Sequence, residues 1–299
     1  MPERFIFTTD RELTFSEEIK NLEFQEVLFP TGDGHLLYGW YLPGSNKRQV
    51  ILFFHGTATN LSHLAPVLEK FKCLDTGIFV FDYRGFGFSK GKPTEAGTYQ
   101  DARGALNFLT HLGWQSDQII YFGHSLGAAI ALQLALEQPP AGLVLESPFT
   151  SIPDLIRHSY PRLFSALPWA FPPYYDNRAK IGSVEAPIMI FHGRRDTIVP
   201  PDMSSILYTL AAEPKSLHFM AEAGHNDLSS CGGEAYWQTW RQFLNRVAGD
   251  KRTWTGGYFC DPGRTFRIDE RIRSDHHPGH QRNGQFPQHS HYRLGFHDR

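Results

Sequence analysis

Short apolar runs recur along residues 22–248, and longer amphipathic stretches separate them. Runs that are this short and nearly continuous in apolar residues are typical of parallel strands buried on both faces. The stretches between them carry apolar residues at helical spacing, as helices packed on a sheet require. The pattern therefore predicts an α/β fold. The predicted strands cover 50–54, 77–81, 119–122, 143–146, 188–191 and 216–220, and the predicted helices cover 61–71, 94–112, 126–137, 201–212 and 234–247.

Two additional strands are predicted near the start of the sequence. Residues 23–29 and 35–42 flank the segment Pro30-Thr31-Gly32-Asp33-Gly34, whose residue types favour a tight turn. We expect these strands to form an antiparallel hairpin at the edge of a mostly parallel, doubly wound sheet.

The alternation of strands and helices is interrupted over residues 148–185. This interval holds six prolines and a dense set of aromatic residues before the next predicted strand. Long intervals of this kind inside one domain commonly form lids or binding loops. We therefore expect a short lid insertion here. Its aromatic residues are Phe164, Trp169, Phe171, Tyr174 and Tyr175.

The composition changes after residue 250. Residues 251–299 contain nine Lys and Arg, five Asp and Glu, and six of the 15 histidines, with no persistent helical or strand period. We expect one folded domain over residues 1–250 and a disordered, basic, histidine-rich segment over 251–299. Clustered histidines can bind metals, but these lack a defined ligand spacing, and we expect no metal site.

The overall composition limits the classes of partner and compartment. The chain of 299 residues has a formal net charge of -2 and 41% hydrophobic residues, which is typical of a globular protein without a nucleic-acid partner. Its three cysteines, Cys73, Cys231 and Cys260, form no C-x-x-C pair and are expected to be free thiols. The sequence shows neither a secretory leader nor an apolar run long enough to span a membrane. We expect a cytoplasmic protein.

The motif Gly-x-Ser-x-Gly occurs twice, around Ser89 and around Ser125. A nucleophile elbow needs a strand, a tight turn and then a helix, which together expose the serine. Ser125 has this context, since an apolar strand precedes it and a helical pattern starts at Leu126. Ser89 is instead followed by Lys92-Pro93, where proline delays any helix. We predict that Ser125 is the nucleophile and that Ser89 is a loop serine.

A nucleophilic serine needs a histidine to accept its proton and a carboxylate to orient that histidine. In this architecture both partners follow later strands, in the order serine, acid, histidine. Asp196 comes after the strand predicted over 188–191, and His225 comes after the strand predicted over 216–220. We predict Asp196 as the acid and His225 as the base. Glu146, at the end of the strand after the elbow helix, is the alternative acid.

Acyl transfer also needs backbone N–H donors for the oxyanion of the tetrahedral intermediate. Leu126 follows the nucleophile and supplies one candidate N–H. The second candidate is Thr57, in the small-residue loop His55-Gly56-Thr57-Ala58-Thr59 that follows the first central strand. We interpret His55 as a residue that holds this loop by a hydrogen bond.

With these residues in place, the chain resembles the α/β-hydrolase superfamily over nearly all of residues 22–248. In particular, it is similar to the branch that holds the ABHD-type palmitoyl-protein thioesterases, the bud-emergence-related hydrolases and serine-aminopeptidase-like proteins. Thr57 and Thr59 stand where that branch has an asparagine and a small residue. The resemblance implies an α/β-hydrolase fold, a structural role for residues 82–89, and no metal or organic cofactor. The matching motifs are Phe54-His55-Gly56, residues 81–89, Gly123-His124-Ser125-Leu126-Gly127, residues 192–200 and Gly224-His225-Asn226-Asp227.

These observations predict a serine hydrolase that acts on the ester, thioester or amide bond of a small-molecule or acylated substrate. The aromatic insertion favours an apolar acyl or aryl group. The alternative is a hydrolase-fold protein that binds a small molecule or partner without turnover, and the complete set of Ser125, Asp196 and His225 argues against it.

Overall fold

The computed structural model describes residues 6–12, 16–249 and 291–293, and its centre is a single twisted sheet. The strands are β1 (Gln25–Pro30), β2 (Leu36–Leu42), β3 (Asn46–Phe54), β4 (Thr76–Phe81), β5 (Ile119–His124), β6 (Gly142–Glu146), β7 (Ile188–Gly193), β8 (Lys215–Met220) and β9 (His291–Arg293). Their spatial order is β8-β7-β6-β5-β3-β4-β2-β1-β9.

The strands β3 to β8 run parallel to one another. β1 and β2 form an antiparallel hairpin, and β2 continues antiparallel onto β4. The α/β prediction and the N-terminal hairpin are therefore confirmed. Parallel strands need crossover connections, and helices supply them here.

The helices pack on both faces of the sheet. They are α1 (Glu17–Asn21), α2 (Leu61–Phe71), α3 (Glu95–His111), α4 (Leu126–Glu137), α5 (Ile152–Ser159), α6 (Pro161–Ala166), α7 (Asn177–Lys180), α8 (Pro201–Leu210), α9 (Leu228–Cys231) and α10 (Gly233–Gly249). The central strand β3 shows how both faces are covered. Leu52 and Phe54 pack in the core formed with α3, α4 and α8, whereas Ile51 and Phe53 pack in the core formed with α2 and α10.

Residues 148–185, predicted to form one lid insertion, divide into an exposed helical part and a part that returns to the core. Residues 152–171 fold into α5, α6 and a short 3₁₀ turn, and they expose several large apolar side chains. The following residues return to the core, because Tyr175 is fully buried and its hydroxyl lies 2.9 Å from Thr98 Oγ1. Tyr175 therefore belongs to the domain core rather than to an exposed aromatic surface. The exposed side chains are Tyr160, Leu163, Leu167 and Trp169.

The disorder predicted for residues 251–299 lies outside the described residues, apart from 291–293, whose backbone pairs in parallel with β1. Within the described part of the chain, no helix combines the length and the apolar character needed to cross a bilayer.

Candidate active site

Ser125 lies in a sharp turn between β5 and α4. Its φ of 53° and ψ of -115° are unusual for a residue with a side chain, and they aim the chain from strand into helix within one residue. Its N–H donates a 2.9 Å hydrogen bond to the carbonyl oxygen of Glu146 on the adjacent strand β6. A conformation of this kind costs about 1–3 kcal/mol and persists only where the surroundings enforce it. The strand-turn-helix context predicted for Ser125 is present.

Two glycines permit this turn because α4 lies very close to the sheet. A Cβ atom on Gly127 would lie 1.9 Å from the carbonyl oxygen of Phe54 in β3. A Cβ atom on Gly123 would lie 2.4 Å from the carbonyl oxygen of Gly127. No side chain fits at either position without displacing backbone, so both ends of the motif require glycine.

His225 lies between the side chains of Ser125 and Asp196. Its Nε2 is 3.0 Å from Ser125 Oγ, and its Nδ1 is 2.7 Å from Asp196 Oδ2. His225 comes from the loop between β8 and α9, and Asp196 comes from the loop between β7 and α8. An ionised carboxylate only accepts hydrogen bonds, so Nδ1 carries the proton and Nε2 offers its lone pair to the serine. The three side chains predicted from the sequence therefore meet.

The carboxylate of Asp196 is held by donors on both oxygens. Its Oδ1 accepts the N–H groups of Ile198 and Val199, both at 2.8 Å. Burial alone would raise the pKa of this carboxyl, but hydrogen bonds from His192 and His225 outweigh burial and hold the pKa well below its usual range. Asp196 is therefore charged at neutral pH and suited to orient an imidazole.

The alternative acid, Glu146, has a different partner. Its carboxyl accepts a 2.6 Å hydrogen bond from the hydroxyl of Tyr236 on α10. Burial raises the pKa of Glu146 to about 7, although the Tyr236 hydrogen bond opposes this rise. The carboxylate that meets His225 is that of Asp196.

The raised pKa of Glu146 predicts a pH-dependent stability. In the unfolded chain the carboxyl has its ordinary pKa of 4.5, so the folded protein retains a proton that the unfolded chain loses between pH 4.5 and about 7. The stability that the protonated Glu146 carboxyl contributes is fully present below pH 4.5 and is lost as the pH rises through 7. The free energy of unfolding of the wild-type protein minus that of Glu146→Gln protein should therefore decrease by roughly 3 kcal/mol as the pH rises across that window.

Urea unfolding of both proteins over a pH series measures this difference. Asp82, a second buried carboxyl whose pKa burial raises to about 8, is present in both proteins and cancels in the comparison. Parallel stability curves for the two proteins would contradict a raised pKa at Glu146.

The loop after β3 lies against the nucleophile, as the oxyanion prediction requires. A Cβ atom on Gly56 would be 3.4 Å from Ser125 Cβ, so the backbone around Thr57 is next to the elbow. The hydroxyl of Thr57 accepts from the N–H of Thr8 at 3.1 Å and thereby points toward the N-terminal segment. This leaves backbone, rather than side chain, as the part of Thr57 suited to contact a substrate.

Two polar residues predicted to be structural, His55 and Ser89, have structural contacts. His55 hydrogen-bonds through Nδ1 to the carbonyl oxygen of Gly56 at 2.7 Å, so its predicted role in holding the loop is confirmed. Ser89 is buried, accepts from the N–H of Tyr38 and donates to the carbonyl oxygen of Asp82. His192 is the penultimate residue of β7.

Sequence reasoning missed the contact made by His124, the variable residue of the elbow motif. Its Nε2 lies 3.0 Å from the carbonyl oxygen of His225. Burial lowers the pKa of His124 to about 4, so the ring is neutral at pH 7 and donates this hydrogen bond. His124 therefore ties the elbow to the loop that carries the predicted base. An imidazole next to the serine was the only sequence signal for this role.

Comparisons with known proteins identify relatives of this chain. Residues 45–180 match a family model described as serine aminopeptidase S33, a range that includes Ser125 but ends before Asp196 and His225. An uncharacterised protein of Mycobacterium tuberculosis is 38% identical over 230 residues, which cover 75% of this chain and 80% of that protein. Protein bem46 of Schizosaccharomyces pombe is 30% identical over 233 residues, which cover 75% of this chain and 77% of that protein.

The solved structure of an esterase from Pyrococcus furiosus shares the fold, with a TM-score of 0.66 at 22% identity, over 81% of this chain and 99% of that one. The α/β-hydrolase domain-containing protein WAV2 of Arabidopsis thaliana is 31% identical over 258 residues, which cover 78% of this chain and 82% of that protein. With its fold and these relatives, the chain belongs to the α/β-hydrolase superfamily.

Proposed function

We propose that the chain is a serine hydrolase that cleaves an ester, thioester or amide bond through an acyl-enzyme intermediate. The observation that carries the proposal is the continuous line from Ser125 Oγ through His225 to Asp196, with distances of 3.0 and 2.7 Å. A serine hydroxyl is a weak nucleophile unless an oriented base accepts its proton. This line supplies both the base and the group that orients it.

In the first step, Ser125 Oγ attacks the carbonyl carbon of the substrate while its proton passes to His225 Nε2. The π electrons of the carbonyl move onto oxygen, which becomes the oxyanion of a tetrahedral intermediate. Asp196 stays ionised and stabilises the imidazolium that forms. The backbone N–H groups of Leu126 and Thr57 are the proposed donors to the oxyanion, and loss of one such donor costs on the order of 10²–10³ in rate.

The intermediate then collapses, and the bond to the leaving group breaks as that group takes the proton from His225 Nε2. The acyl group remains esterified to Ser125. A water molecule attacks this ester with His225 again accepting a proton, and the carboxylic acid leaves as Ser125 recovers its hydroxyl proton. One imidazole thus serves as base and acid in each half of the cycle.

The insertion of residues 152–171 supports an apolar acyl or aryl group in the substrate. It follows β6 and so lies at the carboxyl end of the sheet, the end at which Ser125 follows β5. Its apolar side chains are unusually exposed, with Tyr160 at 64% and Trp169 at 81%. Exposed apolar surface at this end of the sheet is suited to cover an apolar ligand.

A fluorophosphonate probe together with p-nitrophenyl esters from acetate to palmitate tests the proposal. We expect wild-type protein to be labelled and Ser125→Ala protein to remain unlabelled, because the probe reacts only with an activated serine. We also expect kcat/KM to rise with acyl length over the shorter esters. Folded wild-type protein that is neither labelled nor active on any ester would indicate a hydrolase fold that binds without turnover.

A further inference from the structure

A second histidine, His192, lies beside the candidate acid, and the mechanism above does not use it. Its side chain is fully buried at the end of β7. Its Nε2 lies 2.9 Å from the carbonyl oxygen of Val199 and 3.0 Å from Asp196 Oδ2. Its Nδ1 lies 2.6 Å from Ser204 Oγ on α8. Every ring nitrogen of this imidazole therefore has a polar partner.

These partners fix where the ring proton is. Two groups that only accept hydrogen bonds, a carbonyl and a carboxylate, face Nε2, so Nε2 must carry the hydrogen. In the neutral ring Nδ1 is then an acceptor, and the hydroxyl of Ser204, itself fully buried, is the donor to it. Ser204 thus selects the tautomer in which His192 Nε2 carries its hydrogen toward the Val199 carbonyl oxygen and Asp196 Oδ2.

Contacts of His192 and of Asp196 itself hold the loop that carries Asp196 in place. Its Oδ1 already accepts two N–H groups from the loop, and its Oδ2 lies between His225 Nδ1 at 2.7 Å and His192 Nε2 at 3.0 Å. The bond from His192 to Val199 holds the far end of the same loop. The carboxylate is therefore fixed from the sheet side by His192 and faces His225 on its other side.

We propose that His192, oriented by Ser204, is a positioning residue that holds the Asp196 carboxylate in line with His225, an inference that rests on the proposed serine-hydrolase function. The lowered pKa of Asp196, to which the His192 hydrogen bond contributes, agrees with this role. A misplacement of about 1 Å in a catalytic group can cost on the order of 10²-fold in rate. We expect a loss of that order in kcat, with KM nearly unchanged, when the His192 N–H is removed.

Three variants test the inference. His192→Leu removes the N–H, His192→Gln retains an N–H donor near the position of Nε2, and Ser204→Ala keeps the ring but removes the donor to Nδ1. For each variant, the second-order rate constant for reaction with a fluorophosphonate reports how strongly Ser125 is activated. Proton NMR of the deshielded N–H shared by His225 and Asp196 reports their hydrogen bond directly. Circular dichroism and the thermal midpoint identify variants that are folded.

We expect reaction to slow by on the order of 10²-fold in His192→Leu, to recover at least tenfold of that loss in His192→Gln, and to slow severalfold in Ser204→Ala. The shared N–H signal should broaden or disappear in His192→Leu. A folded His192→Leu protein with the wild-type rate and signal overturns the inference. If that variant does not fold, a wild-type rate in Ser204→Ala overturns it. Wild-type protein that does not react at all would instead refute the proposed function, so the two failures are distinguishable.

Discussion

Ser125→Ala protein is expected to lose on the order of 10⁵–10⁶-fold in kcat on any ester that the wild type hydrolyses. The substitution removes the only atom of this residue that can form the acyl-enzyme, while the backbone turn and the oxyanion donors remain. KM should change little, because the methyl side chain of alanine occupies less space than the hydroxymethyl group it replaces. Steady-state hydrolysis of a p-nitrophenyl ester, compared with the uncatalysed rate, measures the effect.

Ser89→Ala is the matched control, because Ser89 lies in the second Gly-x-Ser-x-Gly motif. Its buried hydroxyl accepts one hydrogen bond and donates another, so its loss should lower the free energy of unfolding by about 1–3 kcal/mol. Folded Ser89→Ala protein should keep its turnover. Retained turnover in Ser125→Ala with lost turnover in Ser89→Ala would show that the nucleophile has been assigned to the wrong motif.

Asp196→Asn protein is expected to lose on the order of 10⁴-fold in kcat, the loss known for this substitution in serine proteases. The amide of asparagine can donate to His225 Nδ1, which then becomes an acceptor. The ring proton therefore moves to Nε2, and Nε2 can no longer accept the serine proton. The substitution is nearly isosteric, so protein stability and KM should change much less than kcat. Ester hydrolysis measures the loss in kcat, and the rate of fluorophosphonate labelling measures the loss in the reactivity of Ser125.

Glu146→Gln is the control that separates the two candidate acids. Glutamine retains an oxygen that can accept from Tyr236, whose hydroxyl is the partner of this carboxyl. We expect its kcat to stay close to that of wild type, because the Glu146 carboxyl contacts Tyr236 rather than His225. A loss equal to that of Asp196→Asn would assign the orienting role to Glu146.

Much of the fold is readable from local sequence, because buried parallel strands and amphipathic helices leave clear patterns. The helices α2 and α4 have the predicted bounds. The strand β3 begins at Asn46, four residues before its predicted start. The prediction missed these residues because they are polar, and a register shift between Asn46 and Val50 interrupts their pairing with β4. Polar residues at an irregular strand end carry no apolar signal to detect.

Less of the candidate site can be predicted from the sequence. The order and spacing of Ser125, Asp196 and His225 follow from strand ends that meet at one edge of the sheet. The contacts of His124 and His192 do not follow, because each depends on how a ring turns in the folded core. Sequence position placed His192 at the end of a strand, but it gave no indication that the imidazole lies beside Asp196 and Ser204.

The contact between Gly127 and the carbonyl of Phe54 has an evolutionary consequence. This close packing fixes the turn that carries Ser125 against the backbone of β3. The exposed helices of residues 152–171 lie instead in the connection between β6 and β7. Under the proposed function, exchange of that segment would give descendants of this chain new substrate ranges while the reaction chemistry is inherited intact. Diversification in this lineage should accordingly be concentrated between β6 and β7, and the elbow should tolerate almost none.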